Sequence, residues 1–350
     1  MDKEYKVLFR ADGGAKLGMG HIVRCCSIAE ALRDVKIESI FVCSDNEVKD
    51  YICGKGFAFF STNVEFDDVD KDFDEVVSLS KKYNCSMFVI DTYYASNRYI
   101  SNLRNWGLIC CISPNPKRAK VCDLLINYSG YVGPEAYKDM DLECTEMLLG
   151  TEYAPLSKEY WGREKIRLKE RVERILVVSG GSDVANACPR IVQILDGLPQ
   201  LQSITKDVVI AKRASYSKGI LNEWEQRKDI CLHWGPASLA DIISQVDIAI
   251  SAAGTTVYEL LGLGVPAICF AEVDNQLLAS RLDGCFCWCG DIRNASNQRD
   301  VRSFFDTKLQ QNVLNLLSLK NRVSLLNQSA HAFDTNGANK IALKIKSMLI

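Results

Sequence analysis

Three histidines occur in 350 residues, and one of them stands where proton-transfer chemistry can be built. In Val7-Leu-Phe-Arg10-Ala-Asp12-Gly-Gly-Ala-Lys-Leu-Gly18-Met-Gly20-His21-Ile-Val-Arg24 a short apolar run enters a glycine-rich loop and a helical pattern leaves it. Strand, glycine loop, helix is how α/β proteins bring backbone N–H groups up to a ligand. Gly18 and Gly20 let the backbone approach a ligand or take positive φ. Arg24 lies one helical turn beyond Gly20, so its guanidinium reaches the same mouth. An imidazole at the end of such a loop is placed to take and return a proton. The competing reading is a dinucleotide fingerprint, since Gly18-x-Gly20-x-x-Val23 approaches G-x-G-x-x-G/A and Asp45 could meet a ribose. Val23 in place of the third glycine would obstruct close helix–strand packing, and Gly13-Gly14 make the loop too long. No Gly-Lys-Ser/Thr follows, which excludes a P-loop.

The second half carries chemistry of another kind. In Ser251-Ala-Ala-Gly254-Thr255-Thr256-Val-Tyr-Glu259 a strand pattern ends in a glycine turn, and the threonines fall at a helix start. Free N–H groups and the positive end of the dipole there suit a diphosphate. Glu259, one turn in, could accept both hydroxyls of a ribose; the alternative is a threonine N-cap with Glu259 as a first-turn acid that favours the dipole. Gly180-Gly181-Ser182-Asp183 repeats the theme after the first strand of this half and could add donors to a phosphate, or be a turn that Asp183 caps. Asn275-Gln276, in a polar loop after a strand, could contact sugar or phosphate, or be a solvated loop. Asp68-Val-Asp70 has the form of a metal motif but lies in an acidic run from Glu65 to Asp74 that reads as a solvated loop. Cys285-Phe-Cys287-Trp-Cys289 lacks the paired C-x₂₋₄-C spacing of structural zinc sites. No metal site and no cofactor is expected.

These segments need a frame that brings strand ends together. The first half alternates strand and helix signals: strands at 6–9, 37–43, 87–90, 108–112 and 121–127, helices at 22–33, 73–83 and 100–105. The second half repeats the grammar, with strands at 174–179, 207–211, 248–251 and 266–270 and helices at 187–195, 239–245 and 257–263. Alternation of this kind means parallel sheets built from βαβ units. We expect domains at 1–150 and 174–329, a charged, helix-prone linker at 151–173 and a terminal helix at 330–350. In such folds ligands bind at the carboxyl ends of strands, and two domains add a cleft.

Composition narrows the class. A net charge of −2 with scattered basic residues gives no footprint for nucleic acid. No apolar run approaches the roughly 18–20 residues of a membrane span, and the charged N-terminus has no apolar signal segment. The 15 cysteines, several inside apolar runs, read as reduced thiols of a cytoplasmic protein.

Taken together, the motifs resemble the PseG-type UDP-sugar hydrolases and the related spore-coat polysaccharide proteins. Arg10-Ala-Asp12…Leu17-Gly-Met-Gly20-His21-Ile-Val-Arg24-Cys25 is similar to their N-terminal signature. Matches follow at Val89-Ile-Asp91-x-Tyr93, Cys122-Asp-Leu-Leu-Ile-Asn127, Ile175-Leu-Val-Val-Ser-Gly180-Gly-Ser-Asp183, Ile250-Ser-Ala-Ala-Gly254-Thr-Thr-Val-Tyr-Glu259, Asn275-Gln276 and Asp334-x-Asn-Gly337-Ala338. The resemblance implies a MurG-like GT-B fold, two Rossmann-like domains facing a cleft. It implies cleavage of the anomeric C–O bond of a UDP-activated acetamido deoxy sugar, with water as acceptor and His21 as general base. It places Asp12, Gly18, Gly20, Arg24, Asp91, Tyr93 and Asn127 against the sugar. Gly180, Gly181, Ser182, Gly254, Thr255, Thr256, Glu259, Asn275 and Gln276 fall against the nucleotide. The partners it implies are a UDP-sugar and other enzymes of a surface-sugar pathway. One departure stands out: Ser113-Pro114-Asn115 occupies the place of an Asp-Asp pair in that family. A glycosyltransferase with a sugar acceptor and a non-catalytic nucleotide-sugar-binding protein are therefore the alternatives.

Overall fold

The structure, a computed structural model, describes residues 5–140, 142, 145–181, 183–211, 214, 216–282, 284–293, 299–329 and 333–350. The chain forms two compact units, one of Met1–Trp161 with Thr335–Ile350, the other of Gly162–Asp334.

The first unit runs β1 (Lys6–Ala11), α1 (Gly20–Asp34), β2 (Glu38–Cys43), α2 (Lys49–Gly54), β3 (Ala58–Ser61), α3 (Phe73–Tyr83), β4 (Met87–Asp91), α4 (Asn97–Leu103), β5 (Leu108–Ile112), β6 (Leu124–Asn127) and β7 (Glu146–Leu149). Its sheet is parallel throughout, in the order β3-β2-β1-β4-β5-β6-β7. The strands are apolar on both faces because both faces are covered. Val7, Phe9 and Ala11 enter one core with Met87, Val89 and Cys110, while Leu8 enters the other with Phe88, Ile90 and Cys111. The described cysteines are free thiols, most of them buried. Burial pushes the thiols of Cys110 and Cys43 well above their ordinary value, so they act as small apolar side chains. α3 stops where Asn84 turns left-handed at φ 53° and the Cys85 N–H closes on Ser80 O.

The second unit runs β8 (Arg174–Val178), α5 (Ala187–Asp196), β9 (Thr205–Ile210), α6 (Lys218–Gln226), β10 (Ile230–Trp234), α7 (Ala240–Ile243), β11 (Ile248–Ala252), α8 (Thr256–Gly262), β12 (Ala267–Ala271), β13 (Cys287–Asp291), α9 (Arg299–Leu316) and α10 (Leu319–Ser329). Its parallel sheet has the order β10-β9-β8-β11-β12-β13. In each sheet the strand order reverses once, between β1 and β4 and between β8 and β11. Those reversals open crevices at the strands' carboxyl ends, where ligands of doubly wound sheets bind.

Two expectations meet a different arrangement. Residues 163–173 are irregular rather than helical. Gly162 turns left-handed at φ 68°, and Ile166, Leu168 and Val172 in the run that follows are too few to give a helix a continuous apolar face. The unit boundary falls inside the expected linker. The last helix, α11 (Gly337–Leu349), packs on α1 within the first unit. Its Ala338, Ile341, Ala342 and Ile345 are fully buried there, and each isoleucine contributes about 1.5–3 kcal/mol. Gly337 admits this close approach: a Cβ on it would lie 2.1 Å from Ala154 O. Gly337→Ala should therefore destabilise the first unit by about 1–3 kcal/mol or more, read as a lower thermal midpoint. An unchanged midpoint would mean that α11 can shift without cost.

Candidate active site

β1 leads into the glycine loop and α1 begins at Gly20, so His21 sits in the first helical turn beside the carboxyl end of β4. The loop closes on itself: the Gly14 N–H donates to Gly18 O (3.1 Å) and the Gly18 N–H to Gly14 O (2.9 Å). Gly14 is at φ 127° and Gly18 at φ 74°, conformations that favour glycine. Glu47 holds the loop from outside, accepting from the Ala15 N–H at 2.6 Å. Nothing lies within 4 Å of a Cβ built on Gly18, so the mouth there is open.

His21 is 7 % exposed and Asp91, the last residue of β4, is 1 % exposed. His21 Nδ1 donates to Asp91 Oδ1 at 2.8 Å. Arg24 donates to both oxygens of the same carboxylate, Nε to Oδ2 and Nη2 to Oδ1, each at 2.5 Å. Arg24 Nη2 also lies 2.6 Å from His21 Nδ1, to which it donates whenever that nitrogen is bare. Burial alone would push the Asp91 carboxyl up. Arg24 and then His21 outweigh it and hold the group well below the usual carboxylate range. An ionised Asp91 can only accept, so it holds the ring through a proton on Nδ1, and in that tautomer Nε2 presents its lone pair. That is the tautomer of a general base oriented by a carboxylate. Arg24, raised well above its ordinary value against the pull of burial, stays charged and reaches Tyr128 Oη with Nη1 at 3.0 Å. Burial pushes the Tyr128 hydroxyl up to about 12, so it stays neutral. Tyr93, 55 % exposed, stands edge-on to the His21 ring with centroids 4.9 Å apart.

Not every residue expected at the sugar offers it a free group. Asp12 is buried, with Oδ2 accepting from Arg10 Nη1 (2.7 Å) and Oδ1 from the Ser44 N–H (2.7 Å). It ties the loop root to β2. Asn127 accepts from the Ser129 N–H (3.2 Å) and Oγ (2.7 Å) and donates to Tyr137 Oη (2.9 Å), which shapes the turn after β6. Asn115 caps a turn of 3₁₀ helix at Pro116–Lys120 by accepting from the Lys117 N–H. No carboxylate stands at Ser113-Pro114-Asn115. The acidic run at 65–74 is not all solvated: Asp72 is buried and accepts from Arg10 Nε (2.7 Å) and from Tyr99 Oη (2.8 Å). Burial raises the Asp72 carboxyl. Asp70 accepts from the Ser96 N–H. These acids serve the fold beneath the loop. A pocket of about 280 Å³ opens at the ends of β1, β2 and β3, lined among others by Lys16, Asp45, Glu47, Asn63 and Phe66.

In the second unit the turns after β8, β11 and β12 meet. Gly180 is left-handed at φ 53°, and a Cβ there would come 3.3 Å from Glu272 Oε1. Ser179 Oγ donates to Glu272 Oε2 at 2.8 Å. The Glu272 N–H donates to Gln276 Oε1 at 2.8 Å, and Gln276 Nε2 lies 3.7 Å from a Cβ position on Gly254. Gly180, Gly254 and Gln276 are thus drawn around Glu272, a residue the sequence did not single out. Gly181, Thr255 and Asn275 are exposed beside them, and Glu259 lies in the first turn of α8, which starts at Thr256. Ser182 lies outside the described residues. Asp183 is a cap: it accepts from the Ala187 N–H (2.6 Å), the Cys188 N–H (3.1 Å) and Tyr216 Oη. The start of α5 is therefore filled by the chain's own carboxylate, which leaves less for a phosphate there.

Asp207, Cys231 and His233 gather on β9 and β10 with ligand atoms within 4.8 Å of one another. Arg174 already donates to both Asp207 oxygens, at 3.0 and 2.5 Å, and His233 Nε2 to Oδ1 at 2.8 Å. The group is an ion-pair network with its cation in place. No described helix is long and apolar enough to cross a membrane.

No protein-family model matches the chain. It is 25% identical over 286 residues to an uncharacterized protein of Methanocaldococcus jannaschii, a match covering 77% of this chain and 56% of that one. It is 23% identical to the spore coat polysaccharide biosynthesis protein SpsG of Bacillus subtilis, over 77% of this chain and 78% of the relative. It is 24% identical to the UDP-2,4-diacetamido-2,4,6-trideoxy-β-L-altropyranose hydrolase of Campylobacter jejuni, over 77% and 93%. Among solved structures it is similar to the glycotransferase of kitacinnamycin, with TM-score 0.69 and 13% identity over 99% of this chain and 100% of that one. MurG of Acinetobacter baumannii gives TM-score 0.65 at 13% identity over the same shares. The chain has the GT-B fold of the glycosyltransferases, and two of its sequence relatives carry the names of the PseG-type hydrolases and spore-coat polysaccharide proteins that its motifs resemble.

Proposed function

We propose that this chain cleaves the anomeric C–O bond of a UDP-activated acetamido deoxy sugar with water, releasing UDP, in the making of a surface polysaccharide or a pseudaminic-acid-type sugar. The observation that carries the reading is the His21–Asp91 pair. Asp91 fixes the ring so that Nε2 takes a proton from water as its oxygen forms the new bond to the anomeric carbon. The C–O bond to the diphosphate breaks and UDP leaves with the bonding pair. One displacement inverts the anomeric centre, and the imidazolium formed is stabilised by Asp91. The glycine turns around Gly180 and Gly254, with Asn275 and Gln276, take the nucleotide. The reading asks for no metal ion or cofactor and is supported by the name of the Campylobacter jejuni relative.

Transfer to a sugar hydroxyl is the second reading. The pocket at Asp45, Asn63 and Phe66, beside the glycine loop, favours it, because an aromatic face with carboxylate and amide groups suits a hydroxylated acceptor. One experiment separates the two. With a panel of UDP-acetamido sugars in buffer alone, UDP and the inverted free sugar should accumulate, unaffected by EDTA, as followed by the anomeric proton in NMR. Release of UDP only when a sugar acceptor is added would replace hydrolysis by transfer. Binding with no release under either condition would end the catalytic reading.

A further inference from the structure

We propose that Glu272 is a nucleotide-contacting group that accepts a proton when a nucleoside diphosphate sugar binds the second unit. The inference rests on the nucleotide reading above. Its geometry is the convergence already described: Glu272 leaves the carboxyl end of β12, accepts from Ser179 Oγ at the end of β8 and lies against Gly180. Through its own N–H it holds Gln276 over Gly254. A diphosphate seated on these turns meets this carboxyl at close range. The group is 5 % exposed, and no ion pair of Glu272 occurs among the described residues.

Every group that packs on it bears on its charge. Ser179 Oγ and the Ala185 N–H donate to it, and Asp183 repels it. Asp183 is itself fastened to the start of α5 and to Tyr216. On the β13 side Arg293 donates to Asp291 and Asp274. Burial first, with Asp183 behind it, pushes the Glu272 carboxyl up to about 7. In the empty protein at slightly alkaline pH the group is therefore mostly ionised. Two phosphate charges beside it favour the neutral acid further. Binding then draws one proton from solvent onto a Glu272 oxygen, and the acid can donate its O–H to a phosphate oxygen.

The sign follows from linkage: a complex that holds one more proton than its parts weakens as pH rises, up to about tenfold in Kd per pH unit. The probe is UDP-N-acetylglucosamine, whose diphosphate diester does not titrate in the range used. Calorimetry between pH 7.5 and 8.5 should show Kd rising by close to that factor. Heats measured in buffers of different ionisation enthalpy should report uptake approaching one proton on the wild-type protein alone. Glu272→Gln, which keeps an acceptor for Ser179, should bind at every pH with a nearly flat Kd and no uptake. A flat wild-type profile, or an undiminished slope in the variant, overturns the inference and leaves the nucleotide reading standing. No binding of the probe at any pH overturns both.

Discussion

His21→Ala should lower turnover of a UDP-acetamido sugar by roughly 10²–10⁴ with little change in affinity for UDP. That is about 2.7–5.5 kcal/mol of transition-state stabilisation. It is the share a positioned base contributes when water must lose a proton as it attacks. The proposed nucleotide turns belong to the other unit, so the loss should appear in kcat rather than in binding. His21→Asn is the control for ring volume, because a carboxamide can hold Asp91 yet cannot take the proton. Turnover within a few-fold of wild type in both variants would remove His21 from the chemistry.

Asp91→Asn carries the second large effect, in turnover and in stability together. A carboxamide offers one acceptor oxygen where four donors now converge, Cys25 Sγ among them, and its NH₂ can face Nδ1 only if that nitrogen is bare. The imidazole proton then moves to Nε2 and the base is lost, a change of about 10⁴ in the serine-protease precedent. Arg24, meanwhile, keeps its charge in a buried place without its carboxylate, and breaking such a pair costs about 3–5 kcal/mol. The carboxylate is held below its usual range. Its contribution to stability is therefore fully present above the ordinary carboxyl value and is lost progressively as pH falls from there through the depressed folded value. Wild-type protein should stay folded through mildly acidic pH, and Asp91→Asn should have a lower thermal midpoint at pH 7. The double variant with His21→Ala should lose little more turnover than either single change, because both act on one proton. Additive losses would show that Asp91 works apart from His21.

The central strands were legible because they are covered on both faces: Leu108–Ile112 and Met87–Asp91 read as unbroken apolar runs. Edge elements were not. β3 and β10 are only half-buried along most of their length, and their mixed sequences show neither a continuous run nor a clean alternation. The histidine and its loop were visible as a local pattern. The carboxylate it pairs with lies 70 positions away, and that pairing depends on β1 and β4 being neighbours. Asp72 was hidden differently. In an acidic run it looks like a solvated loop, and its partner Arg10 sits inside an apolar strand where no charge is expected. Glu272 gave no signal because its setting comes from three turns meeting, none of which is adjacent to the others in sequence.

The place of α11 has a consequence for how the chain comes to be folded. The second unit is one continuous stretch, whereas the first is completed only by a helix encoded beyond it. During synthesis the side of α1 that receives Ile341 and Ile345 waits while the roughly 170 intervening residues are made, on the order of 10–35 s at 5–20 residues per second. For that interval the half bearing His21 carries an open apolar seam. The half that emerges later can reach its native state first. The seam that Ile341 and Ile345 cover closes only once that last helix has been made.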